Sequence, residues 1–431
     1  MGPPTPKCPN SPSAATILAG TEDVLIEILL YLPIKTLIRF KTVSKSWFSL
    51  ISSSHLSHLH ALRHRPTTAA SALCLRKSPS QLYLLPLFTR RPKIQTFKFN
   101  FTPPDAYNRA PTAPAAGAAT ATATTYRTRI LQSCNGLLLL QVSYNARNAP
   151  KDYYIYNPTT RRSRILQLTY LFHSNIVSQS QSQQLGLYLA YDPSKSVDYK
   201  VICVSFTAYS VYTYQVFVYD SKFQSWKVAN GGKEFVVPYD VKFCDGVYWN
   251  GKIHWIRPKG ESYYFDIDKD CVVQSIQIPL VERWRGDRVS DTYYFGNSNG
   301  HLHFVTMYLR QASESELRVF EMQDDCSNWL LRYRMDFVDI LCYFPEVRRR
   351  EIDFRDGDTV DYAFCVLGMV REENGEGFLV FHVPGKVVAY KFKDKSFVEL
   401  ADLRALHFSR KGLLKFGCHD AYEFIESLAP V

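Results

Sequence analysis

A chain of 431 residues exceeds the roughly 250 to 300 over which one hydrophobic core keeps growing, so more than one domain is expected. With 46% hydrophobic and 21% charged residues the composition is globular, which excludes general disorder, and no apolar run reaches the roughly 20 residues of a membrane-spanning helix. The net charge of +11 is scattered: the densest runs, Arg161-Arg162-Ser163-Arg164 and Arg348-Arg349-Arg350, are short, and Glu351, Asp353, Asp356 and Asp358 follow the second, which argues against a nucleic-acid surface.

Met1 to Ser13 is proline-rich and polar, without the apolar core of a signal peptide, and the ten cysteines include no Cys-x-x-Cys pair. The expectation is reduced core cysteines in a soluble protein of the cytoplasm, the nucleus or both, with no metal, cofactor or membrane partner. A helix is predicted from Thr21, which can cap it. Glu22 and Asp23 suit the positive end of its dipole, and Leu25, Ile28, Leu29 and Leu32 share one face. Pro33 has no amide hydrogen, so it stops this helix and can open the next, which carries Leu37 and Phe40. Ser44 can cap a third, with Trp47, Leu50 and Ile51 at helical spacing. Three helices in about 35 residues bury too little to be robust alone, so the unit needs a disulfide, a metal or a partner; a partner is the available choice.

The run Asp23-Val24-Leu25-Ile26-Glu27-Ile28-Leu29-Leu30-Tyr31-Leu32-Pro33, then Leu37-Ile38-Arg39-Phe40-Lys41-Thr42-Val43-Ser44-Lys45-Ser46-Trp47 and Leu50-Ile51, resembles the F-box. Leu18-Ala19-Gly20 stands where that family opens with Leu-Pro or Ile-Pro, and Ser44 replaces a common cysteine. The resemblance implies that Leu25, Ile28, Leu29, Leu32, Pro33, Leu37, Val43 and Trp47 form or support a surface for a Skp-type adaptor, and through it a cullin scaffold and a ubiquitin-conjugating enzyme. The other reading is a three-helix cap whose apolar stripe is ordinary core against a β domain.

His55, His58, His60 and His64 recur about one helical turn apart, a metal-compatible spacing. No cysteine or carboxylate lies in the stretch to complete a site, so a solvated linker helix is expected. From residue 66 to about 420 short strands alternate with turns, and 28 Tyr, 27 Phe and 6 Trp suit pleated, half-buried surfaces. Asn135-Gly136, Asn250-Gly251 and Asn299-Gly300 each lead into an apolar strand, and Asn-Gly accepts the positive φ of tight hairpins. A second echo, an aromatic strand, a polar turn and another strand, recurs at Val218 to Trp226, Tyr264 to Asp268 and Val319 to Trp329. Units about every 45 to 60 residues suit six or seven propeller blades, with paired β-sandwiches as the alternative. Pro103 to Thr125, rich in Ala, Thr and Pro, and Ser174 to Gln184, rich in Ser and Gln, are expected to be surface loops.

The predicted fold class is therefore α+β multidomain: a small three-helix module at 18–60 and a large all-β, propeller-like domain at 66–420. Ser133-Cys134-Asn135-Gly136-Leu137-Leu138, Tyr156-Asn157-Pro158-Thr159-Thr160-Arg161, Ala190-Tyr191-Asp192-Pro193-Ser194, Gly246-Val247-Tyr248-Trp249-Asn250-Gly251 and Asn297-Ser298-Asn299-Gly300-His301-Leu302 resemble the F-box-associated domain of plant F-box proteins. That resemblance implies a target-recognition subunit of a Skp/cullin/F-box ubiquitin ligase, acting by positioning alone and without catalytic residues of its own. The alternative is a stand-alone propeller that binds protein or glycan without ligase coupling.

Two segments carry the spacing of enzyme or metal motifs. Gly296-Asn297-Ser298-Asn299-Gly300 fits the spacing of a nucleophile elbow, but the alternating His301-Leu302-His303-Phe304-Val305 predicts a strand where the elbow needs a helix. Asp266, Asp268 and Asp270 mimic a calcium loop, yet Cys271 stands where glycine is required and Gln277 where the bidentate carboxylate belongs.

Overall fold

The computed structural model describes residues 22–64, 72–78, 81–88, 95–98, 101–103, 126–144, 151–168, 184–206, 213–257, 261–279, 294–308, 315–351, 359–372, 374–403 and 420–431. Thr21, and all but the end residues Pro103 and Gln184 of the two low-complexity stretches, lie outside them.

Helices come first: α1 (Glu22–Leu30), α2 (Ile34–Phe40), α3 (Lys45–Ile51) and α4 (Ser54–Arg63). Pro33 sits between α1 and α2 at φ −58° and ψ 146°, an extended conformation that its ring favours and that a helix cannot continue through. Ser44 caps α3 as its position predicts, its Oγ accepting from the Trp47 amide at 3.1 Å. Ser53 caps α4 in the same way through the Leu56 amide at 3.2 Å. Leu25, Leu29, Leu30, Leu37, Ile51 and Leu56 form one buried cluster, to which Leu428 is added from the far end of the chain.

The expectation of a solvated linker over the histidines is corrected here: α4 buries Leu56, Ser57 and His60. The physical reason is in the imidazoles. His60 and His64 place Nε2 at 3.0 and 2.8 Å from the carbonyls of Leu32 and Leu30, satisfying acceptors that the end of α1 leaves unpaired. His58 turns the other way, its Nδ1 3.1 Å from the Pro193 carbonyl of the β domain. The periodic histidines are rivets between helices and domain.

The β domain is a six-bladed propeller, which decides against the sandwich pair. Blade 2 is Tyr126–Cys134, Leu137–Tyr144, Asp152–Asn157 and Arg162–Leu166, each strand antiparallel to the next. Blade 3 runs Gln184–Ala190, Lys200–Phe206, Thr213–Asp220 and Ser225–Val228, with Phe235–Val236 added against its third strand. Blade 4 is Val247–Trp249, Lys252–Trp255, Glu261–Asp266 and Cys271–Gln277; blade 5 is Tyr294–Ser298, His301–Tyr308, Glu316–Met322 and Trp329–Asp336. Blade 6 is Cys365–Arg371, Gly377–Val383, Lys386–Lys391 and Ser396–Asp402. Blade 1 is composite: Ala72–Ser78, Gln81–Pro86 and Gln95–Lys98 take their innermost strand from Ala421–Phe424, in register against Ala72 to Leu75. That closing strand lies just beyond the 66–420 read from the strand pattern. Closure removes the exposed sheet edge that an open fan would leave.

The cores lie between blades. Tyr188, Ile202, Phe243 and Trp255 join blades 3 and 4; Leu73, Leu85, Val380 and Val387 seal blade 6 onto blade 1. Packing at the first of these sets the identity of Gly246, where a Cβ would lie 2.4 Å from the Tyr188 ring and 2.8 Å from Trp255 Nε1. The three Asn-Gly pairs adopt positive φ at both residues, from 45° to 89°, as type I′ hairpins joining first and second strands of blades 2, 4 and 5. The second echo joins third and fourth strands of blades 3, 4 and 5. In antiparallel blades these two connection types share one end of the propeller, so every sequence echo marks the same end. The helical module sits there, since Pro193 lies between the first two strands of blade 3.

Candidate interaction surface

The eight candidate residues divide by depth. Leu25, Leu29 and Leu37 are buried within the helical module; Leu32 and Trp47 are half-buried, Trp47 lying edge-on to Phe40 at 5.3 Å. Pro33 is exposed, and Ile28 and Val43 stand in solvent at 48% and 60% exposure. Tyr31 at 67%, Phe48 at 48% and Val24 at 39% extend the exposed apolar set and were missed in the sequence because composition alone does not say which apolar positions the module's own core has used. A helix such as α1 that is apolar on two faces, one buried and one in solvent, is built to be covered twice.

The surface is edged by cations. The Arg63 guanidinium lies 3.6 Å from the centre of the Tyr31 ring and pairs with Glu27 at 3.1 Å, holding that ring in place from α4. Lys41 reaches over Phe48 at 6.0 Å, and partial burial together with the Arg162 charge lowers its pKa.

The segment that follows the closing strand fastens the module to the propeller. Leu428 lies in the helical core, Lys35 pairs with Glu426 at 2.5 Å, and the buried Asn157 amide of blade 2 donates to the carbonyls of Ser427 and Ala429 at 3.0 and 2.9 Å. At the opposite end of the propeller, where connections between blades run, Val236, Tyr239, Val338 and Tyr343 present apolar surface.

The chemistry-bearing motifs have other occupations. Ser298 is buried at the end of a strand that pairs with His301–Tyr308, and its Oγ accepts from the Arg371 amide at 3.0 Å with no bond to a histidine. Ser298→Ala is expected to lower stability by about 1 to 3 kcal/mol, because a buried amide loses its acceptor. Urea denaturation of the two proteins measures this, and an unchanged midpoint would contradict the assignment. Asp266 Oδ1 accepts from the Asp268 and Lys269 amides, while Asp270 accepts from the Asn230 amide and pairs with Lys227, so these carboxylates cap turns and do not converge. Among the described residues no group of three or more His, Cys, Asp or Glu gathers to hold a metal, and no helix is long and apolar enough to cross a membrane. Of the described cysteines, Cys74, Cys134, Cys203 and Cys365 are core; Cys244 and Cys342 are exposed, contrary to the expectation that all are core.

Comparison with known proteins agrees with both modules. Residues 21–59 match the F-box domain, and residues 86–331 match the F-box associated beta propeller domain. F-box protein At5g07610 of Arabidopsis thaliana is 32% identical over 98% of this chain and 94% of its own length. F-box/kelch-repeat protein At3g23880 of the same plant is 26% identical over 58% of this chain and 61% of its own. A helical module of this motif on a propeller of this type, aligned over nearly the whole length of such a relative, places the chain in the family of F-box proteins with an F-box-associated β-propeller domain.

Proposed function

We propose that this protein is a target-recognition subunit of a Skp/cullin/F-box ubiquitin ligase. Ile28, Tyr31, Pro33 and Val43 meet a Skp-type adaptor, with Leu32 and Trp47 at the margin and Leu25, Leu29 and Leu37 supporting them from beneath. The observation that carries the reading is the exposed apolar face of a helical module whose own core is already filled. The adaptor leads to the cullin scaffold. The target binds at the far end of the propeller, where the connections between blades and the exposed Val236, Tyr239, Val338 and Tyr343 lie.

In this reading the chain performs no bond chemistry; it raises the local concentration of a target beside a charged ubiquitin-conjugating enzyme. The module over 18–60 and the β domain from 66 onward are the two working parts, and the site of action is the cytoplasm, the nucleus or both. Co-purification of the full chain with a Skp-type adaptor tests this. Ile28→Asp is expected to weaken binding at least about thirtyfold by burying a charge in an apolar interface, with the circular dichroism spectrum unchanged. Equal binding by the variant would remove this face from the interface. No binding by the wild-type chain would favour a stand-alone propeller binder.

A further inference from the structure

The last strand of the propeller ring and the last wall of the F-box core belong to one continuous segment. Ala421–Phe424 closes blade 1, and the chain runs on directly to Leu428, which packs among Leu25, Leu29, Leu37, Ile51 and Leu56. Ala429 and Val431 then pack in the core shared by blades 2 and 3. Blade 2 grips the backbone between these points. Asn157, fully buried, donates to the carbonyls of Ser427 and Ala429, while its Oδ1 accepts from the amides of Thr159 and Thr160 at 2.9 and 3.1 Å. The Ser427 amide donates to Thr159 Oγ1 at 3.2 Å. Gly136 leaves the passage open: a Cβ there would stand 2.3 Å from the Ser427 Cβ and 3.0 Å from the Ile425 carbonyl oxygen.

Only Ile425, Glu426 and Ser427 separate the closing strand from Leu428, a reach of about 3.5 Å per residue at most. The strand therefore has too little slack to leave the seam while Leu428 stays in the F-box core. We infer that residues 421–431 are a coupling strap: the F-box holds its adaptor-docking fold only while the propeller ring is closed. Its four short helices bury too little to hold that fold unaided, and the strap supplies part of the missing core. The device would present a docking face only on chains whose target-binding ring is complete. By reciprocity, an adaptor that grips the F-box tightens the ring. The adaptor half of this inference rests on the proposed function; the coupling of F-box to ring does not.

Hydrogen exchange on the full chain tests the coupling without any partner. Asn157→Ala removes the grip and touches no F-box side chain. It is expected to speed exchange of α1, α2 and α4 about tenfold or more together with residues 425–431, and to leave blade 5 as in the wild type. Leu428→Ala, made in the F-box core, is expected to speed exchange across the Ala72 to Leu75 and Ala421 to Phe424 seam. Loosening of the strap with unchanged helices in the first variant, or of the helices with an unchanged seam in the second, would overturn the inference. With a purified Skp-type adaptor, both variants should bind about tenfold more weakly although every exposed F-box residue is intact, and equal affinity would again overturn it. Failure of the wild type to bind would refute the adaptor reading alone, since the exchange result stands without it.

Discussion

Replacing His254 by Leu is expected to change the pH dependence of stability by about 2 kcal/mol between pH 7 and pH 5, the variant gaining on the wild type as the solution is acidified. His254 lies on the second strand of blade 4, buried, between the rings of Trp249 and Tyr264 at 5.4 and 5.3 Å, and its Nε2 has no partner. Burial first, and then the nearby Lys252 charge, push its pKa down to about 3. The folded value is thus depressed below that of an unfolded histidine, near 6.5, so below pH 6.5 the unfolded chain takes up a proton that the folded chain refuses. Stability from this group is complete above about pH 6.5 and falls by about 1.4 kcal/mol per pH unit below it. His60, His301 and His303 are lowered as well, chiefly by burial, and act in the same direction.

Glu423, on the closing strand, acts in the opposite direction. Burial raises its pKa to about 8, so the folded chain keeps a proton that the unfolded chain releases above the usual carboxylate range, and acidification from pH 7 favours the folded state through this group. Total stability between pH 7 and pH 5 is therefore a balance of opposed terms, and the difference between wild type and His254→Leu isolates one of them. Urea denaturation at several pH values measures it. A difference that stays constant from pH 7 to pH 5 would mean that solvent reaches the imidazole.

What was legible in the sequence was local. The Asn-Gly hairpins could be read because both turn residues need positive φ, and the helix boundaries because Pro33 and Ser44 act through their own backbone and hydroxyl. Propeller architecture followed because the hairpins repeat. The closing strand was not legible: Ala421–Phe424 is four residues long and pairs with Ala72 to Leu75 across the length of the chain, a contact that leaves no periodicity. The adaptor surface was legible as a segment and not as a face. Ile28 and Leu29 are equally apolar neighbours, yet one stands in solvent and the other is fully buried, and only packing against α4 and Leu428 decides which. The histidines of α4 read as a solvated linker because their polar neighbours carry no sign that Leu30, Leu32 and Pro193 place carbonyls within reach of the imidazoles. Ser298 was legible as well: the motif fixes spacing while the chemistry needs a strand-to-helix turn, and the alternation after it predicts the hairpin that stands there.

Glu321→Ala is expected to destabilise the protein by about 3 to 5 kcal/mol, the cost of leaving a buried cation without its counter-ion. Glu321 lies on the third strand of blade 5 and pairs with Arg371 Nη1 of blade 6 at 3.1 Å, both side chains being largely buried. His303 Nε2 lies 3.3 Å from the same carboxylate, so this ring carries its proton on Nε2 and donates; His301 Nδ1 is 3.5 Å from the other oxygen. Arg371 also donates to the Tyr333 hydroxyl at 3.1 Å, which donates to the Gly375 carbonyl at 2.7 Å. The network thus crosses the boundary between blades 5 and 6. Burial opposes the charge on Glu321, but the His303 hydrogen bond and the Arg371 charge outweigh it, and the pKa is lowered overall. With a depressed folded pKa, this stabilisation is present above the usual carboxylate range and is lost as pH falls through the folded value. The deficit of Glu321→Ala should therefore be full at pH 7 and shrink in strong acid. Glu321→Leu/Arg371→Met, which removes both charges, should be more stable than Glu321→Ala, because an apolar pair of similar volume leaves nothing buried and unpaired. Thermal denaturation of the wild type and the two variants at pH 7 decides the matter. A cost below about 1 kcal/mol for Glu321→Ala would show that Arg371 finds water when its partner is removed, and that the apolar core around Phe381 and Leu317 with the Ser298 and Tyr333 hydrogen bonds suffices to hold blades 5 and 6 together.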